Sequence, residues 1–437
     1  MERVRQHGGS NGGQTVTAGG SYDGGSSQGE MFMPLSVEDN DLLTRVVGSA
    51  PMGQMVRSNF WIPVGLSAAI VADGAPLRVR RLGENFVLFR ATDGRVGLFR
   101  EACPHRGTSL ALARNEGNGL RCIFHGWKFS VDGRCVEVPT QAAQQDEFCG
   151  KVPLQHFPTR EGGNIVWAWL GKGAPKRFPA FEFTQLSGAN VFAAYQTLNY
   201  NWVTHLEGQL DSSHLTQLHK SWLGNAGNGG ADLSAINEDA APVYEFAEMP
   251  GGFRYAAIRR APQNQSYIRT TAFVVPWYTF IAFGSGMCVI SVPIDDEHTA
   301  LYMVSYNASG PYMRSWNAPA VDPMNWPPYL TEGAAGRWGQ DRGAMLRDSF
   351  SGFPVHPIQE DFAVAESQGA ILDRSKEFLN AADKPVVHLR AALLNAVKAF
   401  RDGRPDNLLR LDEIPYEQVK AMGKVIPPSQ DWRSIGT

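Results

Sequence analysis

Apolar residues recur first at helical spacing and then in short alternating runs. Between Ser36 and Arg57, Leu42, Leu43, Val46 and Val47 share one face, with Asp39 or Asn40 placed as a cap, which predicts a single opening helix. From Phe60 to Leu170 the pattern turns β-type, with runs at 77–80, 85–90, 96–99 and 164–169 separated by the turn signals Asp93-Gly94 and Asp132-Gly133. A small antiparallel β domain is expected there. The stretch Gly171 to Phe183, rich in Lys, Gly and Pro, reads as a linker with a boundary near residue 175. Beyond it, 199–222 and 361–402 have helical spacing and 243–304 is strand-rich, so the second domain is α+β. The plan is a Gly/Ser-rich disordered lead-in over 1–30, a helical segment over 31–58, a β domain over 59–175 and a larger α+β domain over 176–437.

Composition narrows the function. A chain of 437 residues, 43% hydrophobic and 19% charged, can bury full cores. Forty Lys plus Arg against 43 Asp plus Glu gives a charge of −3, which offers no field for tracking phosphates and excludes a general nucleic-acid binder. Five scattered cysteines do not make a disulfide scaffold and fit a reducing cytoplasm. The first ten residues lack the apolar run of a secretory signal. The apolar stretch Thr271 to Pro293 is interrupted by Pro276 and by Gly284-Ser285-Gly286, so it reads as strands and not as a membrane span.

Two constellations carry chemistry. Cys103-Pro-His105-Arg-Gly and Cys122-Ile-Phe-His125-Gly-Trp127 form C-x-H…C-x2-H, two tight loops that each pair a thiolate with an imidazole. Zinc or an iron–sulfur cluster can use that set, although common zinc fingers pair like with like and place the histidines on a helix. A Rieske [2Fe–2S] centre takes two cysteines on one iron and two histidines on the other. Cys135, Cys149 and Cys288 have no metal-type spacing and read as small buried residues. Further on, Asp211-Ser-Ser-His214-x4-His219 sits in a helical, apolar context. Histidines five apart lie off one helical face, so a π-type turn is expected to bring them to one metal, with Asp211 orienting His214. Two neutral histidines need a carboxylate from elsewhere to complete a 2-His-1-carboxylate iron site with open positions for dioxygen and substrate.

The twin loops, with Lys128-Phe-Ser-Val-Asp-Gly133 after them, strongly resemble the Rieske domains of bacterial non-haem iron oxygenases. The resemblance covers residues 36 to 402. The wording Leu206-Glu207-Gly208…Asp211-Ser-Ser-His214 and the helical tail are most similar to the phthalate dioxygenase-like group. It implies a catalytic domain of helix-grip type, an antiparallel sheet covered by helices. It also implies a [2Fe–2S] cluster on Cys103, His105, Cys122 and His125, and a mononuclear Fe(II) on His214, His219 and Asp361. Asp361 is chosen within Gln359-Glu360-Asp361, with Glu360 and Glu366 as competitors. By the same likeness the chain is the oxygenase component of a homotrimer or stacked trimers. Asp211 then carries electrons from a neighbour's His125 to His214, and Glu207 stands where many members carry Asn. Trp127 covers the cluster edge or packs beneath it, and Arg106 lies beside a face that meets an electron partner.

No G-x-G-x-x-G follows a strand and no plant-type cluster spacing occurs, so a separate NAD(P)H-dependent flavin or iron–sulfur reductase, with or without a ferredoxin, is implied. The resemblance implies that the chain uses dioxygen and reductase-delivered electrons to dihydroxylate or hydroxylate an aromatic carboxylic acid, phthalate- or phenoxybenzoate-like, in aromatic catabolism. Arg254 and Arg260, alternating with Arg259 on one strand, are the candidate carboxylate anchors, with Phe273, Trp277, Phe280 and Phe283 as ring-facing aromatics. By the resemblance, phthalate-type recognition draws a second arginine from between the histidine pair and this strand, and the absence of any Arg between Arg177 and Arg254 argues against a true phthalate dioxygenase. O-demethylation of a methoxylated aromatic acid and electron transfer without oxygenation are the alternatives. His156, His205, His298, His356 and His388 are expected to be ordinary.

Overall fold

The computed structural model describes residues 32–435 except 142, 224–235, 237–238, 313–321, 327–332, 355 and 405–409, so the expected lead-in over 1–30 lies outside the described residues. Where one opening helix is expected there are two, Val37–Thr44 and Pro51–Asn59. Ser36, and neither Asp39 nor Asn40, caps the first by accepting the Asp39 N–H. The chain leaves helical geometry at Arg45, passes Gly48 at φ +66° and restarts with Pro51 in the first turn, where its missing N–H is no loss. Leu42, Leu43 and Val46 are buried as the pattern requires, and Val47 is left exposed by the break.

Residues 62 to 168 form small antiparallel sheets. Ile62–Leu66, Ile165–Ala168 and Thr159–Gly162 make one, and Leu77–Arg81, Glu84–Arg90 and Val96–Arg100 a second. The strands Arg114–Asn115, Gly119–Arg121, Lys128–Ser130 and Cys135–Glu137 make the third. An apolar core shared by the second and third sheets, including Phe89, Phe99, Leu120 and Phe129, lies beneath the two Cys/His loops. Across residue 175 the packing continues without a gap: Phe178 meets Trp61 and Trp167 edge-on at 5.5 and 5.6 Å between ring centroids, and Phe181 meets Tyr278 at 4.8 Å.

The second part is built on an antiparallel sheet of eight strands. Its order is Val191–Leu198, Thr299–Tyr306, Met287–Pro293, Tyr278–Ile281, Gln265–Val274, Gly252–Ala261 and Val243–Met249, with Gly423–Ile426 added along Gln265–Val274. The stretch Thr271 to Pro293 therefore lies in strands, and no helix among the described residues is long and apolar enough to cross a membrane.

Both long helical patterns break. The first gives Trp202–Leu210, Leu215–Leu218 and Lys220–Leu223, because Asp211 is extended and its Oδ1 accepts the Ser213 N–H and hydroxyl. The second gives Pro357–Ser367 and Lys384–Arg401, separated after Gly369 at φ +92° and restarted with Pro385 in the first turn. Trp202–Leu210 lies on the strands Tyr278–Ile281, Met287–Pro293 and Thr299–Tyr306 and is backed by Lys384–Arg401.

A buried charge knot fixes that helix. The Glu207 carboxylate accepts two bonds from Arg374 at 2.8 Å each and one from Arg390 at 2.6 Å. Arg390 continues to Glu377 at 2.6 and 2.9 Å, and Arg374 to Asn40 at 3.2 Å. One carboxylate thus joins the opening helix, the site helix and the last long helix. Burial alone would raise the Glu207 carboxyl, but the guanidiniums of Arg374 and Arg390 outweigh it and hold it down to about 2. Glu207→Ala leaves Arg374 buried without a carboxylate, and a loss of roughly 3–5 kcal/mol is expected in urea unfolding. Because the folded value lies below the unfolded one, of about 4.3, this stabilisation is full above that range and is lost as pH falls toward about 2. The gap between wild type and variant should therefore narrow on acidification.

Candidate metal centres and pocket

The two Cys/His loops close in the same way. Cys103 N–H donates to the Thr108 carbonyl and Gly107 N–H to the Cys103 carbonyl, both at 2.8 Å. Cys122 N–H donates to the Trp127 carbonyl at 2.8 Å and Gly126 N–H to the Cys122 carbonyl at 2.9 Å. Gly107 and Gly126 stand at φ +76° and +75°, a region that favours glycine. Both thiols are buried and adjacent, and both imidazoles sit at the rim with ring centroids 4.5 Å apart. Burial pushes the Cys103 thiol up to about 11, a proton that a bound metal displaces. Trp127 is buried and stacks flat on His105 at 4.5 Å and 9°, so it packs beneath the loops and does not cover an exposed edge. Arg106 is exposed and lies over Phe124.

His125 Nδ1 is buried with no hydrogen-bond partner, an orphaned lone pair that an iron of a [2Fe–2S] cluster satisfies. Among the described residues no three of these four side chains close to single-ion spacing, so the donor set suits a two-metal group better than one zinc. Cys135 and Cys149 are buried free thiols 3.1 Å apart in the core below.

The second constellation does close to single-ion spacing: His214, His219 and Asp361 offer ligand atoms all within 4.8 Å of one another. No π-type turn is used. The helix break at Asp211 leaves a single turn, Leu215–Leu218, with His214 at its front and His219 at its end, and their rings 5.2 Å apart. Asp361, on the helix Pro357–Ser367, brings Oδ1 to 3.5 Å from His214 Nε2 and 3.3 Å from His219 Nε2. The other nitrogens also face acids. Asp211 Oδ2 is 3.5 Å from His214 Nδ1, and Glu360 Oε2 is 2.5 Å from His219 Nδ1. Of the two competitors, Glu360 therefore meets the far side of a ligand ring, and Glu366 is outside the cluster.

Burial alone would depress His219, but Asp361 and Glu360 outweigh it and carry it up to about 10. Burial likewise opposes ionisation of Asp361 and Asp211, and their histidine neighbours hold both below the usual carboxylate range.

A cavity of about 230 Å³ opens from His219 and Asp361 between apolar walls that include Phe192, Ile281, Met287 and Leu301. The expected anchors are not in it. Arg254 lies over Trp432 at 5.2 Å and donates to the Arg433 carbonyl, and Arg260 is exposed and paired with Asp239 at 3.2 Å. Both project from the face of their strand that packs against Trp432 and Ile435 and not from the cavity face, and Arg259 on the opposite side donates to Ser212 and to the Asp239 carbonyl. The arginine that lines the cavity is Arg269, which is buried and has no hydrogen-bond or ion-pair partner among the described residues. Of the expected aromatics only Phe283 lines the cavity, while Phe273, Trp277 and Phe280 are buried in the core. His205 and His356 line it as well, and burial pushes both down to about 4, so they are neutral imidazoles. His205 is held by Ser291 at 2.7 Å, and His356 Nδ1 accepts the Ile358 N–H.

A profile of the Rieske [2Fe-2S] domain matches residues 60–158, and one described as LigXa C-terminal domain like matches residues 168–437. The chain is 38% identical to the oxygenase subunit of phthalate 4,5-dioxygenase from Pseudomonas putida, over 91% of this chain and 94% of that protein. It is 28% identical to the oxygenase subunit of 5,5'-dehydrodivanillate O-demethylase from a Sphingobium species, over 90% of this chain and 86% of that protein. The solved structure of the NdmA QL mutant of Pseudomonas putida CBB5 with theobromine has the same fold, with a TM-score of 0.57 at 19% identity, covering 87% of this chain and 99% of that one.

Two outcomes follow from this geometry. His214→Ala should lower the iron content from about three to about two per chain, the cluster's pair remaining, with the Rieske visible spectrum unchanged. Two irons per chain in fully loaded wild type would instead leave only the electron-transfer reading. A ferrous ion also competes with the proton on His219, so loading of the iron-free site should strengthen by up to about tenfold per pH unit below the His219 value. Equilibrium dialysis from pH 6 to pH 8 checks the sign, and affinity that falls with rising pH contradicts it.

Proposed function

The chain belongs to the Rieske-type non-haem iron oxygenases as an oxygenase component, and we propose that its substrate is an aromatic carboxylic acid anchored by Arg269. The observation that carries this is an uncompensated buried guanidinium in an apolar cavity that also holds His219 and Asp361. Such a cation is costly until an anion meets it, and a carboxylate matches its fork. A dry cavity of roughly 150 Å³ accepts benzene, so about 230 Å³ accommodates one substituted ring. Among the described residues Arg269 is the only arginine or lysine lining the cavity, which favours one carboxylate near the iron over two.

The roles we assign divide between residues 59–175 and 176–437. Cys103, His105, Cys122 and His125 hold the [2Fe–2S] cluster, and His214, His219 and Asp361 hold the iron. When bound, the cluster supplies electrons one at a time and the iron offers open positions for dioxygen. The family draws its electrons from a separate reductase or ferredoxin. In our reading Asp211 links His214 to His125 of the partner subunit, in a homotrimer or stacked trimers in the cytoplasm. Arg269 sets the ring's orientation, and the apolar walls exclude water from the reacting face.

Arg269→Met should raise KM for the acid roughly ten- to hundred-fold, as loss of charged hydrogen bonds implies, and should leave the KM of its methyl ester nearly unchanged. Equal losses for acid and ester would refute the anchor. The likeness to the dehydrodivanillate O-demethylase subunit favours demethylation as the second reading. Single turnover under labelled dioxygen separates the two. Two labelled oxygens in the product mean ring dihydroxylation, and one label with formaldehyde released means demethylation.

A further inference from the structure

Consecutive residues of one helix grip opposite edges of one imidazole. Glu360 Oε2 meets His219 Nδ1 at 2.5 Å, and Asp361 Oδ1 stands 3.3 Å from His219 Nε2. Glu360 is completely buried, and its second oxygen accepts the Ser351 hydroxyl, so both of its oxygens are engaged and the side chain has one pose. His214 is held differently. Its Nδ1 is 3.5 Å from Asp211, whose side chain is a quarter exposed.

We propose that Glu360 is the positioning residue of the iron site: its hydrogen bond fixes the ring plane and tautomer of His219, directs Nε2 to the metal and strengthens it as a donor. A ring bonded through Nδ1–H to a carboxylate keeps its lone pair on Nε2, and rotation by half a turn about Cβ–Cγ breaks the contact. His219 becomes the fixed ligand and His214, on the looser and more exposed acid, the adjustable one. The inference rests on His219 being an iron ligand, and the experiment is arranged to separate the two claims.

Glu360→Gln is nearly isosteric and can still accept from Nδ1–H, but it lacks the charge. Iron affinity is measured by competition with a chelator on protein with an intact Rieske spectrum, and near-infrared magnetic circular dichroism reports the ligand field of the ferrous site. Affinity about tenfold weaker with shifted ligand-field bands is expected, and Glu360→Ala should lose up to about a hundredfold. Affinity within twofold of wild type and unshifted bands in Glu360→Gln overturn the proposal. Weaker binding with unshifted bands overturns it too, since that marks loosened packing alone. His219→Ala is the separate control. If it keeps the mononuclear iron, the ligand reading has failed, whatever Glu360→Gln does.

Discussion

A single carboxylate, Asp361, stands within 3.5 Å of two imidazole nitrogens that come from either end of one helical turn. An ionised acid buried there is costly unless a cation lies among the three, because burial penalises the lone carboxylate and the histidine neighbours are what hold it in the charged form. On the free site the proton held on His219 meets that demand, and a bound metal would take its place. Everything nearby serves to hold the three atoms at that spacing. The Asp211-Ser212-Ser213 turn breaks the helix so that both rings face one way, and Pro357–Ser367 delivers the acid from far along the chain.

The scaffold around the centre is stiff for electrostatic reasons. Glu207 ties the site helix to Arg374 and Arg390, and Arg259 ties Ser212 to the sheet, so the turn that carries His214 is pinned from both sides. Against this wall the cavity offers one cation, Arg269, the polar groups of His205, Gln209, His219, His356 and Asp361, and apolar side chains along the rest, a lining that suits the flat acid proposed above. The cluster loops are fixed as well, by paired backbone bonds and two glycines.

The local features were legible. The cluster loops can be read because each is closed within six residues, and the β-type runs around them match the strands observed. Features that depend on distant partners were hidden. Glu207 meets arginines 167 and 183 residues away, and nothing in its neighbourhood signals them. Alternation along Gly252–Ala261 gives the parity of Arg254, Arg259 and Arg260 but not which face meets the cavity, and Arg254 and Arg260 stand on the face that packs against Trp432 and Ile435. Arg269 did leave a signal: a lone charge in a strand that is otherwise buried from Tyr267 to Val274. The π-type turn was an unneeded device, because Asp-Ser-Ser already marks the place where a helix stops and restarts.

In the proposed site His214, His219 and Asp361 hold one iron through the two Nε2 atoms. Anomalous diffraction at the iron edge on iron-loaded crystals tests it most directly. A single-iron peak is expected between the two Nε2 atoms and the Asp361 carboxylate, separate from the two-iron peak between the Cys/His loops. A peak bound through Nδ1, or no iron between those three side chains in a fully loaded crystal, would contradict it.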